Sequence, residues 1–393
     1  MSIARARLAL TFAALLSISA IGKANSNNAE PRLLQVGPHR DLRTPGAASA
    51  IARADDHIEI DAGDYEDSSA VWTADRLTVQ AVGGRVRMIA SGRSAEGKAI
   101  WVVRAAGMRI EGVEFSGARV PSRNGAGVRL ERGSLTVRDC IFINNENGIL
   151  TSNEPDVELQ IESSEFGHNG HGDGYSHNLY VGAIRRFSVT GSYFHHARTG
   201  HLLKSRAAEN HVFYNRLTDE DGGGASYELE FPSGGIAYVV GNVIEQGAQT
   251  NNPALVSFGA EGYRWPRNEL HLINNTLVDG RTDGGVFLAV RPDNRRLVAT
   301  NNILVGPGRL ETAGSGEYRN NINVARESFV DAARHDFRLK SSSPLLGRAV
   351  AVADAVGKDL MPGREYIHPR RVGITARRTS LNPGAMQSVG ALD

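Results

Sequence analysis

Short apolar strands separated by polar turns recur along most of the chain. Segments such as Gly112–Phe115, Asp139–Phe142 and Asn275–Val278 are rich in β-branched and aromatic residues, and they recur about every 19 to 33 residues. Within them apolar and polar positions alternate with a period of two, and a period of 3.6 is almost absent. The pattern therefore predicts an all-β protein built from short strands.

The unequal spacing of these units indicates a solenoid, because propeller blades have steadier lengths, whereas loops of any length can leave a coil at its corners. Asn recurs at one corner, for example at Asn242, Asn275 and Asn302. Asn tolerates a left-handed backbone, and its amide can bond to the Asn one coil above. We therefore predict a right-handed parallel β-helix with such an Asn ladder.

The chain divides into four predicted segments. Arg5 and Arg7, an apolar run over Leu8–Ile21 and the small residues Gly22–Ala24 are typical of a cleaved export signal. A retained anchor is the alternative, although the run is short for a membrane span. The predicted segments are residues 1–24 as signal peptide, 25–70 as an N-terminal cap with a short helix within Ala47–Ala54, 71–325 as the β-helix, and 326–393 as a looser segment that covers the last coil.

The charge balance and the cysteine content limit the classes of protein to which this chain can belong. The 393 residues are 41% apolar and 22% charged, and removal of the signal leaves 41 basic and 43 acidic side chains. This balance argues against a nucleic-acid partner, which normally requires a basic excess. Cys140 is the only cysteine, so no disulfide is possible, and we expect it to be buried. The expected protein is a secreted or periplasmic monomer without stable membrane insertion.

Three central segments and three closing segments resemble bacterial secreted right-handed parallel β-helix proteins of the pectate-lyase-like superfamily. The central ones are Ser176–Gly182, Gly200–Ala207 and Ser226–Gly235, and the closing ones are Asp336–Leu339, Ser343–Leu345 and Pro383–Ala385. The resemblance implies the fold and activity on a polysaccharide. It does not extend to the Trp-Ile-Asp-His element of pectate lyases, since Val71–Asp75 lacks the His. Nor does it extend to polygalacturonases, whose earlier motifs are missing before Gly170–Gly172.

A row of polar side chains is predicted on the outer face of the solenoid. If Leu179, Leu203 and Leu229 point inward, strand alternation directs their neighbours outward. With coils about 4.8 Å apart, one sugar unit would then reach all members of the row. The predicted outward residues are Asn178, Tyr180, Lys204, Arg206, Glu228 and Glu230.

These residue types suit β-elimination on a uronate. The reaction needs a base for the proton beside the carboxylate, a cation for the carboxylate, and an acid for the leaving oxygen. Lys204 and Arg206 match by type the Lys and Arg of β-helix lyases that act on alginate or dermatan-type chains. The candidate base is Lys204, with its pKa lowered by Arg206, and Arg206 is the candidate cation that binds the carboxylate. Tyr180 or His177 is the candidate acid. The candidate substrate-binding residues are Asn178, His201, Glu228 and Glu230, and the candidate Ca²⁺ ligands are Glu228, Glu230 and Glu261.

Other interpretations stay open. A glycosidase would use two carboxylates among Glu228, Glu230, Asp219 and Asp221, and a non-catalytic glycan-binding protein would tolerate loss of any one charge. Lys204 and Glu228 could also form a cross-strand ion pair on the sheet. The histidines His168, His171 and His177 lie within one loop without a zinc spacing, so they are interpreted as lining the groove.

Overall fold

The computed structural model describes residues 30–293, 295–311, 316–352, 359–375 and 380–389. Most of the strands in these ranges run parallel, in one sheet of 10 strands and one of 21. This architecture confirms the predicted parallel β-helix. The predicted signal peptide lies outside the described residues. Among the described residues, no helix combines the length and apolarity that a membrane crossing requires.

The first coils contain one helix, α1, and the two longest strands, β2 and β4. Their elements are β1 Leu33–Val36, α1 Pro45–Ile51, β2 His57–Glu66, β3 Ala70–Trp72 and β4 Thr78–Ile89. The helix begins after Thr44, whose side chain accepts a hydrogen bond from Ala47 N, and it matches the predicted short helix. Because β1 pairs in parallel with β2, and β2 with β4, parallel pairing already begins at Leu33.

The central coils each contribute one strand to the ten-stranded sheet and two to the larger sheet. In chain order they are β5 Ala99–Val103, β6 Met108–Glu111, β7 Val113–Ser116, β8 Ala126–Leu130, β9 Ser134–Arg138, β10 Ile141–Ile143, β11 Asn147–Thr151, β12 Glu158–Glu162, β13 Glu165–Gly167, β14 Leu179–Val181, β15 Arg186–Thr190, β16 Tyr193–His195, β17 Leu203–Ser205, β18 Glu209–Phe213, β19 Arg216–Thr218, β20 Leu229–Phe231, β21 Ile236–Val240, β22 Val243–Gln246, β23 Ala254–Phe258, β24 Glu269–Ile273, β25 Thr276–Asp279, β26 Val286–Val290, β27 Arg296–Thr300, β28 Ile303–Val305, β29 Arg309–Glu311, β30 Glu317–Arg319 and β31 Ile322–Asn323.

The C-terminal segment is formed by two antiparallel hairpins and two short 3₁₀ turns. These elements are Arg326–Ser328 (3₁₀), β32 Phe329–Asp331, Ala332–Arg334 (3₁₀), β33 Asp336–Leu339, β34 Arg364–Ile367 and β35 Arg371–Ile374. The segment reaches back beyond the last coil along the solenoid flank. Arg370 lies 3.4 Å from Glu165, and Ala385 N donates to Thr276 Oγ1 at 3.0 Å.

The core is a stack of apolar side chains in register between coils. Phe115, Phe142, Phe166 and Phe194 pair directly across β7, β10, β13 and β16, and their rings stack with centroids 4.8–5.1 Å apart. Offset-stacked rings contribute about 0.5–1.5 kcal/mol per pair beyond their buried area. Cys140 is buried as expected, and burial raises the pKa of its thiol to about 12.

The predicted Asn ladder is present, and in the last coils a second ladder runs beside it. The Nδ2 of Asn275 donates to the Oδ1 of Asn302 at 3.1 Å, and Asn242 donates in the same way to Asn275 at 3.0 Å. The left-handed residues are Asn274 and Asn301, one position earlier, with φ of 50° and 58°. These left-handed residues form a ladder of their own, since Asn301 Nδ2 donates to Asn274 Oδ1 at 3.2 Å and Asn320 Nδ2 donates to Asn301 Oδ1 at 2.7 Å. The expectation that one Asn serves both roles is therefore confirmed in the last coils.

Candidate active site

The ten-stranded sheet brings three predicted residues into one outward row. Tyr180 on β14 is in register with Lys204 on β17, and Lys204 is in register with Glu230 on β20. The inward neighbours Leu179, Leu203 and Leu229 are buried in the core, as the alternation requires. The predicted row of Tyr180, Lys204 and Glu230 is therefore confirmed.

Lys204 lies between two carboxylates. Its Nζ is 3.1 Å from Glu230 Oε2 and 3.3 Å from Glu261 Oε1, and its side chain is 12% exposed. Glu230 is also 2.9 Å from the Nε2 of His201. Burial acts most strongly on Glu230 and raises its pKa, but the hydrogen bonds and charges of His201 and Lys204 outweigh it and lower the pKa below the ordinary value.

Arg206 holds a carboxylate of the protein itself. Its NH1 and NH2 donate to the two oxygens of Glu261 at 2.6 and 2.8 Å, and its Nε donates to the hydroxyl of Tyr180 at 2.9 Å. The hydrogen bonds from Arg206 lower the pKa of Glu261 to about 2. Ser233 accepts a further bond from NH1 at 3.2 Å, and the indole of Trp265 donates to the Arg206 carbonyl at 3.0 Å. The guanidinium is thus fixed beside the Lys204 ammonium.

His177 is placed behind this row. It is 2% exposed, its ring lies 4.5 Å from that of His201, and it stacks on Tyr180 at 5.5 Å. Its Nδ1 accepts a hydrogen bond from His201 N at 3.0 Å. Burial, then the charges of its neighbours, hold its pKa well below the ordinary value. His177 is therefore a buried neutral ring that supports Tyr180, which is half-buried at the surface of the row.

Two predicted orientations are wrong, those of Asn178 and Glu228. Asn178 is fully buried, where its Oδ1 accepts from Asn169 N at 3.1 Å and its Nδ2 donates to His195 O at 2.7 Å. Both residues immediately precede their strands, at the corner where the chain bends into the ten-stranded sheet. The alternation of a strand does not continue across a bend, so these side chains point inward.

Glu228 occupies an apolar position. Register places it level with Leu202 and Leu255 in the adjacent coils, both fully buried. Neither of its carboxyl oxygens has a hydrogen-bond partner in the described part of the chain. Burial, followed by the charge of Asp219, raises its pKa well above the ordinary value and so favours the protonated form.

The three predicted Ca²⁺ ligands are therefore not brought together. Glu230 and Glu261 bind Lys204 and Arg206, whereas Glu228 is fully buried, level with Leu202 and Leu255 of the adjacent coils. The predicted ion pair of Lys204 with Glu228 is likewise replaced by one with Glu230. A calcium ion prefers several charged oxygens around one point, and these three residues do not supply them.

Asp219 and Glu220 lie at a neighbouring corner. Asp219 accepts from Ala225 N at 2.8 Å, and burial raises its pKa to about 7. Glu220 binds Arg216 and the hydroxyl of Tyr193. Asp221 is exposed. The predicted polar turn is present, and it is separate from the row on the ten-stranded sheet.

A basic cleft that sequence reasoning missed lies on the same sheet. Arg129 is in register with Leu150, which is in register with Tyr180, so the cleft follows the line of the row. Its volume is about 350 Å³. Its lining residues are Arg104, Arg129, Glu131, Arg132, Ser152 and Glu154. The outward position of Arg129 between apolar residues of β8 was the available signal.

Comparison with known proteins gives the fold class. No known family profile and no curated protein sequence matches the chain. Among solved structures, the pectate lyase Pel9A superposes with a TM-score of 0.63 at 13% identity, over 91% of this chain and 97% of that one. The protein therefore has the parallel β-helix fold of a pectate lyase.

Two further structures are similar over smaller parts. A Geobacillus virus E2 protein, ORF18, matches at 15% identity and a TM-score of 0.45, over 71% of this chain and 56% of its own. A PL6 family polysaccharide lyase from Pseudopedobacter saltans matches at 14% identity and a TM-score of 0.40, over 78% and 96%.

Proposed function

We propose that this protein is an exported polysaccharide lyase that cleaves an acidic, uronate-containing glycan by β-elimination. The observation that carries the proposal is the binding of one carboxylate by Lys204 and Arg206 together, through Glu261 at 2.6–3.3 Å. A constellation that holds the carboxylate of Glu261 has the charge and hydrogen-bond donors for the carboxylate of a uronate.

Lys204, Tyr180 and Arg206 each take part in one step of the proposed β-elimination. The Nζ of Lys204 accepts the proton from the carbon beside the uronate carboxylate, and the electron pair of that C–H bond forms the new C=C bond. The glycosidic C–O bond breaks, and the hydroxyl of Tyr180 gives its proton to the leaving oxygen. Arg206 binds the carboxylate and stabilises the negative charge that develops on it.

Lys204 has to be neutral before it can accept a proton. The ammonium therefore has to release one proton first, and its side chain is 12% exposed, so that proton leaves to solvent. Tyr180 accepts a hydrogen bond from Arg206 and keeps its own O–H free to donate. The two proton-transfer groups therefore lie side by side on adjacent strands.

The basic cleft supports an acidic and extended substrate. Arg129 lies two coils from Tyr180 along the same sheet, and its Nε has no hydrogen-bond partner among the described residues. Repeating carboxylates on a glycan chain would meet Tyr180 and Arg206 first and the arginines of the cleft further along.

The glycosidase alternative loses support from the geometry. Glu228 is inaccessible, and Glu230 and Glu261 are held by cations that would keep both as carboxylates. A hydrolase needs one protonated acid beside its second carboxylate. A glycan-binding protein without activity would use the same charges, and the experiment below separates it from a lyase.

The test is incubation of the mature protein with uronate-containing and neutral polysaccharides, with ultraviolet absorbance and reducing ends followed together. A lyase gives both signals with a uronate glycan. Lys204→Ala and Lys204→Arg should each lower turnover by about 10²–10⁴-fold, since neither side chain can act as the base at neutral pH.

The matched control is Lys340→Arg, because Lys340 donates only to the Glu327 carbonyl in the C-terminal segment and Arg can do the same. Its turnover should equal that of the unchanged protein. Reducing ends without ultraviolet absorbance would contradict the lyase and favour a hydrolase, and normal turnover of Lys204→Arg would remove Lys204 as the base.

A further inference from the structure

A cluster of three imidazoles lies on the larger sheet. It is away from the row of Tyr180, Lys204 and Glu230 on the ten-stranded sheet, which is called the lyase row below. His168 follows β13, His195 ends β16, and His196 follows it. One ring nitrogen of each lies within 4.8 Å of those of the other two. The Nδ1 atoms of His195 and His196 are 2.7 Å apart, and the rings of His168 and His196 stack at 4.5 Å.

The backbone places these rings together. β13 and β16 are in register, with Gly167 opposite His195. A Cβ at Gly167 would lie 2.2 Å from the His195 ring, so a glycine is required where that ring sits. His168 and His196 have φ of 54° and 46°, the left-handed corner conformation that Asn144 adopts one coil earlier. Stacked corners therefore bring together histidines that are 27 or 28 residues apart in the sequence.

A carboxylate orients the buried member. The Nε2 of His195 is 3.4 Å from Glu165 Oε1, and Arg370 holds the other Glu165 oxygen at 3.4 Å. In the tautomer whose Nε2–H points to Glu165, His195 presents the lone pair of Nδ1 to the cluster. A carboxylate behind a histidine is the arrangement that fixes the tautomer of metal-binding imidazoles.

Three carboxylates act electrostatically on the cluster, those of Glu165, Glu220 and Asp221. Their negative charge favours a cation beside the three rings.

We propose that His168, His195 and His196 bind one divalent transition-metal ion of the Zn²⁺ type. Three nitrogen ligands select zinc-like ions and exclude Ca²⁺, which prefers oxygen. Because His168 is exposed, solvent can fill the remaining coordination position. The ion would bind His168 at the start of the loop that ends at His177, and so hold that loop beside the lyase row. The site is independent of the proposed lyase chemistry.

The test is equilibrium dialysis of the chelator-treated full-length mature protein against Zn²⁺, and separately against Ca²⁺. Binding of one Zn²⁺ per chain and no Ca²⁺ at these residues is expected, and Co²⁺ should give the visible absorption of a nitrogen-ligated site. His168→Asn and His196→Asn should each weaken Zn²⁺ binding at least tenfold. Asn tolerates the left-handed backbone at both corners, so these variants should keep the fold.

The matched control is His171→Asn, in the same loop and outside the cluster, with Zn²⁺ affinity expected to stay unchanged. Circular dichroism of each metal-free variant confirms that the solenoid is intact. Zn²⁺ affinity that survives the double variant His168→Asn/His196→Asn, or an unchanged protein that binds no Zn²⁺, would overturn the proposal whatever the outcome of the glycan assays.

Discussion

The guanidinium of Arg206 donates to both carboxylate oxygens of Glu261, at 2.6 and 2.8 Å, across 55 residues of sequence. The same carboxylate lies 3.3 Å from the Nζ of Lys204, and the Glu261 side chain is 48% exposed. An acidic substrate that binds Lys204 and Arg206 competes with this internal carboxylate. The charge of Glu261 therefore sets how readily the row accepts a second carboxylate.

Glu261→Gln should strengthen the binding of uronate oligosaccharides several-fold, because Arg206 and Lys204 lose their internal counter-charge. Isothermal titration calorimetry on the unchanged protein and the variant measures this. Glu317→Gln is the control, since Glu317 pairs with Arg296 on the other sheet. Weaker binding by Glu261→Gln would mean that Glu261 orients the cations rather than competing with substrate.

The same pair should affect acid stability. The pKa of Glu261 is lowered from 4.5 to about 2, so its stabilising contribution is present above pH 4.5 and is lost as the pH falls toward 2. At this exposure the pair contributes about 0–1 kcal/mol. In denaturant unfolding between pH 2 and 5, the free energy of unfolding of Glu261→Gln should therefore depend less on pH than that of the unchanged protein. An equal pH dependence of the two proteins would contradict the lowered pKa of Glu261.

Asp219→Asn should stabilise the protein at alkaline pH. Burial raises the pKa of Asp219 from 3.8 to about 7, so the folded state favours the protonated form and stability falls as the pH rises from 3.8 through 7. The variant lacks this loss and should be more stable at pH 8 by about 2–4 kcal/mol. Parallel stability profiles for the variant and the unchanged protein would refute this, and the exposed Asp221→Asn serves as control.

Glu228→Gln should keep glycan turnover within about twofold. The carboxyl is fully buried and has no hydrogen-bond partner among the described residues, and burial raises its pKa and favours the neutral form, so an amide of similar volume can replace it. Turnover is measured on the glycan that the unchanged protein cleaves. A folded Glu228→Gln variant without activity would mean that Glu228 takes part in the reaction, and it would favour the glycosidase interpretation.

Asn275→Ala should lower the free energy of unfolding by about 1–3 kcal/mol. Its Nδ2 donates to Val239 O at 2.9 Å, and its Oδ1 accepts from Asn242 N at 2.9 Å, so the variant leaves buried groups unpaired in adjacent coils. Thermal or denaturant unfolding measures the change. Asn251→Ala, at an exposed turn, should leave stability unchanged, and an equal effect of both variants would show that the ladder contributes nothing.

The sequence by itself determined the solenoid and the outward row of Tyr180, Lys204 and Glu230. Alternation within β14, β17 and β20 is a local property of a strand, so the outward positions of Tyr180, Lys204 and Glu230 followed from the neighbouring leucines. The Asn ladder was equally predictable, since Asn recurs at one corner of the repeat. Both inferences need only the repeat and the period of two.

Only the tertiary structure decided the features that lie at corners or join distant coils. Asn178 and Glu228 turn inward because the chain bends just before their strands, where alternation stops applying. Glu261 meets Arg206 through a connection whose path the sequence does not specify. His168 meets His196 because coil length and register put them one above the other. Coil length varies along this chain, so no fixed sequence spacing indicates the contact.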